Sequence, residues 1–225
     1  MKNLKPIYLG SDNLSEVQPE ILKALIKSGK SQNFSYGEDT YTNLCKEKLM
    51  SIFETSQLEI LPVVTGTAAN ALAISSICSA YGGVICHENS HLNKDECGAP
   101  EFFSGGKLIP VSSKNGRLNK KILGKTLKKY SNISILKTNI EAISVTQLSE
   151  NGTCYTLSEL KEIGIFCKEN HLLFHMDGAR FANALTFLNL KPAEMSWKLG
   201  LDCLSLGATK NGAFGAEVLL LFNKS

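Results

Sequence analysis

Residues 172–185 read LLFHMDGARFANAL, and the character of the sequence changes in the middle of this segment. The apolar run 172–176 is typical of a buried strand, and the small and polar residues after it are typical of a turn leading into a helix. A buried strand followed by a helix is the repeating unit of a parallel sheet covered by helices on both faces. Ligands bind at the carboxyl ends of such strands, which is where Asp177 and Arg180 stand.

The same alternation of strands and helices extends outward along the chain. Strands are predicted at 58–64, 83–86, 107–111, 142–146, 172–176, 202–206 and 217–222. Helices are predicted at 19–28, 41–53, 68–81, 119–130 and 157–169. The sequence therefore predicts an α/β fold, with three αβα layers around a mainly parallel central sheet.

Composition excludes several classes of protein. Of 225 residues, 43% are hydrophobic and 20% are charged, which excludes a disordered or fibrous chain. A net charge of +3 is too small to indicate a nucleic-acid or membrane-surface partner. No apolar run reaches the roughly 18 residues of a spanning helix, and no signal peptide is predicted. Seven cysteines without repeated spacing favour free thiols, so we expect a soluble, cytoplasmic protein.

Two patterns favour structural over functional interpretations. Residues 114–129 carry seven Lys or Arg without an acidic or aromatic residue, which predicts a solvated helix face with Leu118, Ile122 and Leu127 directed inward. Residues 87–91 read HENSH, a match to the H-E-x-x-H pattern of zinc peptidases. That site needs both histidines on one helix, whereas the preceding GGVIC predicts a strand. We therefore expect no metal site.

Three strand ends carry residues that suit one cofactor. At 65–67 the sequence TGT precedes a predicted helix, where a glycine and free N–H groups favour a phosphate. Asp177 can pair with a protonated ring nitrogen, Arg180 can bind a carboxylate through its fork, and Lys210 stands among small residues as a potential nucleophile. Each has an ordinary alternative: a helix cap at Thr67, a capping aspartate with an exposed arginine, or a solvated lysine. An anion-binding turn, then an aspartate and then a lysine, in this order along the chain, is the arrangement of a pyridoxal phosphate enzyme.

At these residues the sequence resembles the threonine aldolase/aromatic amino acid β-eliminating lyase family, which has the aspartate-aminotransferase fold type. The resemblance extends along the whole chain, and the DGAR and TKNG blocks are its most specific parts. The blocks that carry it are YLGSDNLSEVQPEIL (8–22), SYGEDTYT (35–42), VTGTAANALAI (64–74), CHENSHLNKDECGAPEFFSGGKLIPV (86–111), HMDGARFANAL (175–185) and SLGATKNGAFGAEVLL (205–220).

The resemblance implies roles in binding the cofactor, pyridoxal 5'-phosphate. Lys210 is expected to form the aldimine with it. Asp177 is expected to pair with the pyridine nitrogen and keep the ring cationic. Gly66, Thr67 and Thr209 are expected to hold the phosphate.

The resemblance also implies residues for the substrate. Ser11 and Arg180 are expected to bind its carboxylate, and Arg180 is expected to contact the cofactor as well. His91 is expected to stack on the cofactor ring and to help move the β-hydroxyl proton, with Glu96 supporting the site. A histidine that related aldolases carry near residues 147–148 is absent from the local sequence TQLSENG, so its role in deprotonation has no counterpart here.

The implied reaction is the cleavage of a β-hydroxy-α-amino acid, such as threonine, into glycine and an aldehyde. Alternatives are β-elimination from an amino acid, a family remnant with little or no activity, and the zinc peptidase described above. Substrate products separate the first two, and cofactor binding separates an enzyme from a remnant.

The resemblance further predicts the domain organisation. Residues 1–225 are expected to form the cofactor-binding large domain, including an N-terminal segment at 1–45. The family's smaller C-terminal domain, which supplies a second arginine to the carboxylate, is expected to be absent, with weak cofactor binding and poor turnover as consequences. A homodimer or homotetramer is expected because this fold usually builds its site across a dimer interface.

Overall fold

A computed structural model describes residues 10–130 and 138–222 of the chain. Residues 1–9, 131–137 and 223–225 lie outside the described residues. The start of the predicted N-terminal segment and the prediction that the chain has no signal peptide both fall on residues 1–9. One seven-stranded sheet has the order β1-β7-β6-β5-β4-β2-β3. Its strands are β1 (Glu59–Val63), β2 (Gly82–His87), β3 (Lys107–Val111), β4 (Asn139–Thr146), β5 (Leu173–Gly178), β6 (Cys203–Gly207) and β7 (Glu217–Leu221).

The sheet is mainly parallel, as the sequence predicts. Strands β3, β2, β4, β5 and β6 pair in parallel, whereas β7 is antiparallel to both β6 and β1. Strand β1 therefore points in the same direction as the parallel strands. As a result, the carboxyl ends of β1, β2, β4, β5 and β6 share one edge of the sheet with the amino end of β7.

Helices cover both faces of the sheet. They are α1 (Pro19–Ser28), α2 (Thr40–Ile52), α3 (Gly66–Ile77), α4 (His91–Lys94), α5 (Ala99–Ser104), α6 (Lys120–Tyr130), α7 (Leu157–Glu169) and α8 (Phe181–Leu188). Successive side chains of a strand point to opposite faces. In β2, Val84 and Cys86 pack in a cluster with Ile74 of α3, whereas Ile85 packs in a second cluster with Leu160 of α7. The predicted three-layer αβα arrangement is confirmed.

Helix α3 ends four residues before its predicted limit at 81. Its last residue is Ile77. Just beyond it, the Glu141 carboxylate accepts hydrogen bonds from the Ser79 N–H at 2.7 Å and from the Ser79 hydroxyl at 2.8 Å. These bonds favour a turn towards β2 over another helical turn. A contact with a residue 62 positions away has no local sequence signal.

Only the second part of the basic stretch forms helix α6, which begins at Lys120, and residues 114–116 form a separate 3₁₀ turn before it. Leu118 is buried, and Leu127 is partly buried against the larger core cluster. The fully buried residue of the helix is Leu123, whereas Ile122 is only half-buried. Lys120 pairs with Glu169 of α7 at 3.3 Å, as expected of a solvated helix face.

All seven cysteines are free thiols, and four of them are buried. Burial raises the pKa of Cys86 to about 11, so this thiol is protonated at neutral pH. Cys45 and Cys97 are exposed. Within residues 10–130 and 138–222, no helix is both long and apolar enough to cross a membrane.

Candidate active site

A cavity of about 330 Å³ opens at the edge of the sheet where the parallel strands end. This size falls in the range of small-molecule sites, and the location is the one that α/β sheets use for ligands. Six of the residues predicted from the sequence line the cavity: Gly66, Thr67, His91, Asp177, Thr209 and Lys210.

The first turn of α3 faces the cavity with unpaired backbone donors. Thr65 is the N-cap, and its hydroxyl accepts a hydrogen bond from the Ala68 N–H at 3.1 Å. The alternative that Thr67 caps this helix is therefore wrong. No residue in the described part of the chain accepts the N–H groups of Gly66 and Thr67, which point out of the helix N-terminus. Such a turn binds anions.

Glu217, at the start of β7, also lies at this corner of the cavity. Its carboxylate accepts a hydrogen bond from the Thr209 N–H at 3.3 Å. The space is narrow, since a Cβ on Gly207 would lie 2.8 Å from a Glu217 oxygen and 2.8 Å from the Ala179 Cα. A glycine is therefore required at 207. The sequence predicted Glu217 only as the first residue of a strand. The apolar run after it indicates a buried strand and gives no signal that Glu217 lines a cavity.

Asp177 lies within β5 and is only 3% exposed. Its carboxylate accepts hydrogen bonds from the Asn70 side-chain amide and from the Ala179 N–H, both at 3.1 Å. The alternative that Asp177 caps a helix is wrong, because α8 is preceded by Arg180 as its cap residue. Two donors fix the orientation of this buried carboxylate at the cavity wall.

A buried hydrogen-bond network joins Asp177 to His91. The Asn70 amide also donates to Glu96 Oε1 at 2.7 Å, and His91 Nδ1 lies 2.8 Å from the same oxygen. The Glu96 hydrogen bond is the main cause that raises the pKa of His91 above its ordinary value. Asn70 was missed in the sequence, where its only signal is a single amide within the small-residue run TAANALAI.

We expect the Glu96→Gln substitution to lower the pKa of His91, because the neutral amide removes the carboxylate that stabilises the imidazolium. A proton NMR titration of the His91 ring measures this pKa, and Glu38→Gln in an exposed loop is the matched control. Folding raises this pKa, so the stabilisation is fully present below the ordinary value of 6.5 and is lost as the pH rises through the folded value. An unchanged His91 titration in the Glu96 variant would contradict the network.

Arg180 already holds a carboxylate. Its Nε and Nη2 donate to the two oxygens of Asp12 at 2.5 and 3.2 Å. Burial raises the pKa of Asp12, but the hydrogen bonds and charge of Arg180 and the charge of Lys210 outweigh it, so the net shift is downward. Ser11 is exposed, and its hydroxyl accepts the Asn13 N–H at 3.2 Å. Neither Ser11 nor Arg180 is part of the cavity wall.

Lys210 stands on the single 3₁₀ turn Thr209–Asn211 that follows β6. The residue is half-buried and lines the cavity, and no residue in the described ranges accepts a hydrogen bond from its amine. The alternative of a lysine fully surrounded by water is therefore wrong. An unpaired amine beside a buried carboxylate and an anion-binding turn is available for covalent chemistry.

The two histidines of HENSH lie on different elements. His87 is the last residue of β2, and His91 is the first residue of α4. They therefore do not share a helix face. Across residues 10–130 and 138–222, no group of three or more His, Cys, Asp or Glu side chains is placed to hold a metal ion.

The cavity residues fit a phosphorylated, nitrogen-containing ring cofactor. The first turn of α3 offers unpaired N–H groups, Asp177 offers a buried carboxylate, and Lys210 offers an amine. Two buried oxygens next to them, Asn70 Oδ1 and Glu96 Oε2, have no hydrogen-bond partner in the described part of the chain. Buried polar atoms of this kind are expected where a ligand completes the site.

The fold and the cavity define a three-layer αβα domain with a small-molecule site at its strand ends. Sequence comparison makes this specific: the model of the beta-eliminating lyase family matches residues 9–225, and the chain belongs to this family. The cofactor of this family is pyridoxal phosphate.

Individual relatives agree. A low specificity L-threonine aldolase of Pseudomonas sp. (strain NCIMB 10558) is 43% identical over 215 residues, and one of Pseudomonas aeruginosa is 42% identical. Each alignment covers 95% of this chain and 61% of the relative, so the chain spans about three fifths of their length. The solved threonine aldolase of Leishmania major superposes with a TM-score of 0.89 at 27% identity, over 95% of this chain and 61% of that one.

Proposed function

We propose that the chain is the cofactor-binding part of a pyridoxal phosphate-dependent lyase that cleaves a β-hydroxy-α-amino acid, such as threonine, into glycine and an aldehyde. The observation that carries this proposal is the convergence of Lys210, Asp177 and the open first turn of α3 on one cavity. The 43% identity to an L-threonine aldolase supports the substrate class. Bound pyridoxal phosphate supplies an electron-accepting ring that stabilises the electron pair left on the α-carbon of an amino acid.

Cofactor binding is assigned to residues at three strand ends. The Lys210 amine attaches the cofactor covalently, and the lack of a hydrogen-bond acceptor for this amine among residues 10–130 and 138–222 supports the role. The N–H groups of Gly66 and Thr67 hold the phosphate together with Thr209. Asp177 stabilises a proton on the ring nitrogen, because two hydrogen bonds aim its buried carboxylate at the cavity.

Substrate binding is assigned to residues beside the cavity. Arg180 binds the carboxylate of the amino acid, with Ser11 close to it. Asp12 now occupies the guanidinium fork, so the substrate either replaces Asp12 or uses the remaining N–H groups. A fixed carboxylate orients the bond that breaks. His91 covers the cofactor ring, while contact between Arg180 and the cofactor stays a prediction.

Assembly into a homodimer or homotetramer is also proposed. Helix α1 has no buried residue, and its Leu22 and Ile26 side chains are exposed, as are Phe102 and Phe103 of α5. Large exposed apolar side chains mark contact surfaces. The seven free thiols support a cytoplasmic location. The division into a large domain at 1–225 with an N-terminal segment at 1–45 stays a prediction.

Two substrates distinguish the proposed reaction from β-elimination, which the family description favours as the second candidate. The full chain is incubated with pyridoxal phosphate and either L-threonine or β-chloroalanine. Glycine and acetaldehyde from threonine would support the aldol cleavage. Pyruvate and ammonia from β-chloroalanine, with no glycine from threonine, would contradict it. Cofactor binding without either product would favour the low-activity alternative.

A further inference from the structure

Glu150 is a carboxylate at the cavity to which the chemistry above assigns no role. It follows β4 in the loop that leads to α7, and it lines the cavity together with His91, Asp177 and Lys210. The residue is exposed overall, so its carboxylate is open to solvent as well as to the cavity. No residue within 10–130 or 138–222 donates a hydrogen bond to it.

The other carboxylates in the cavity wall are engaged. Asp177 accepts two hydrogen bonds, from a side-chain amide and from a backbone N–H, each at 3.1 Å. Glu217 accepts the Thr209 N–H at 3.3 Å and lies next to Gly66 in the first turn of α3. Glu150 therefore keeps its lone pairs available for a ligand.

His91 is already engaged through one of its two ring nitrogens. Its Nδ1 is bound to Glu96 Oε1 at 2.8 Å, and this hydrogen bond raises the pKa of the imidazole. The Glu96 carboxylate therefore engages Nδ1 of His91, whereas Glu150 lines the same cavity with no donor to its carboxylate among the described residues.

The charges around Glu150 favour a basic carboxylate. Burial at the cavity wall raises the pKa of Glu150, and the negative charge of Asp177 raises it further. The positive charges of Arg180, His91 and Lys210 oppose this, but the net shift is upward. A carboxylate with a raised pKa holds a transferred proton more firmly.

We propose that Glu150 is the base that removes the β-hydroxyl proton from the amino-acid substrate. This inference rests on the proposed function. The O–H bond breaks and the proton moves to a Glu150 oxygen, while the O–H electron pair forms the aldehyde C=O bond. The Cα–Cβ bond breaks and leaves its electron pair on the α-carbon, which then takes up one proton to complete glycine. Glu150 is exposed and returns its proton to solvent.

The test compares Glu150→Gln with Glu150→Asp and with the remote control Glu162→Gln on α7. Three properties are measured: the yellow absorbance with pyridoxal phosphate, cleavage of L-threonine against pH, and exchange of the glycine α-proton in deuterated buffer. Glycine has no hydroxyl, so its exchange does not need this base.

The Gln variant is expected to keep the absorbance and the glycine exchange, and to lose cleavage by roughly 10²- to 10⁴-fold. In the unmodified chain the cleavage rate should rise with pH as Glu150 loses its proton, and this rise should be absent from the Gln variant. The Asp variant should recover part of the cleavage rate and part of its pH dependence. Cleavage within twofold of the unmodified chain, or an equal loss of glycine exchange, would overturn the proposal. If the unmodified chain binds cofactor but does not cleave threonine, the proposed function itself fails instead.

A readout without cofactor is the carboxyl titration of the glutamate-labelled chain by carbon NMR. The carboxyl signal that is absent from the spectrum of Glu150→Gln belongs to Glu150. Its pKa should lie above the ordinary glutamate value of about 4.3. It should shift downward in Asp177→Asn, because the neighbouring negative charge is removed. A Glu150 signal at or below the ordinary value would contradict the role of a base.

Discussion

Replacing Lys210 with Ala is expected to abolish the yellow absorbance that the chain develops with pyridoxal phosphate. Lys210 is the half-buried amine of the cavity wall, and Ala208 and Gly212 flank its turn without offering another nucleophile. Lys210→Arg should fail as well, since a guanidinium keeps the positive charge but stays protonated and cannot attack a carbonyl carbon. Absorbance spectroscopy measures the effect, and Lys125→Ala on the exposed face of α6 is the matched control.

Circular dichroism would verify that the Lys210 variants keep their fold. We also expect threonine cleavage to fall below detection, because no second lysine lines the cavity in the part of the chain that the structure describes. A Lys210→Ala chain that still turns yellow, or an equal loss of absorbance in Lys125→Ala, would contradict the assignment of the nucleophile.

Replacing Asp177 with Asn should leave the absorbance in place but lower the rate of cleavage. The amide loses the charge that holds a proton on the cofactor ring, and a hydrogen bond to a charged group contributes about 1.5–3 kcal/mol. At 1.4 kcal/mol for each factor of ten, we expect a decrease of roughly 10- to 150-fold. Steady-state kinetics with L-threonine measures it, and Asp95→Asn, at the exposed end of α4, is the control.

Asp177→Asn also affects the local network, since Asn70 and Ala179 donate to the carboxylate. We therefore compare thermal unfolding of the variant and the unmodified chain before assigning the rate loss to chemistry. A folded Asp177→Asn chain with unchanged kinetics would show that this carboxylate does not act on the cofactor ring.

The main parts of the cavity could be predicted from the sequence because they depend on strand ends. Alternating strands and helices require a parallel sheet, and a parallel sheet brings the ends of its strands to one edge. This is why the turn at Gly66, the carboxylate of Asp177 and the amine of Lys210 could be assigned to one site before the structure was known. Glycine at 66 and a lysine among small residues were the local signals.

The remaining parts depend on contacts that have no local signal. Asn70 meets Asp177 across 107 positions of sequence, and Arg180 meets Asp12 across 168. Glu150 lies in a polar loop, where a glutamate is ordinary, and only the path of that loop directs it to the cavity. Sequence patterns report which face of an element is buried, but not which distant side chain completes a hydrogen bond.

The most direct test of the central claim is to trap the cofactor and locate it. The full chain is incubated with pyridoxal phosphate, reduced with borohydride, digested and analysed by mass spectrometry. The account predicts a single modified site at Lys210, with loss of the yellow absorbance on reduction. A reduced cofactor on any other lysine, or no modification of Lys210 at saturating cofactor, would contradict it.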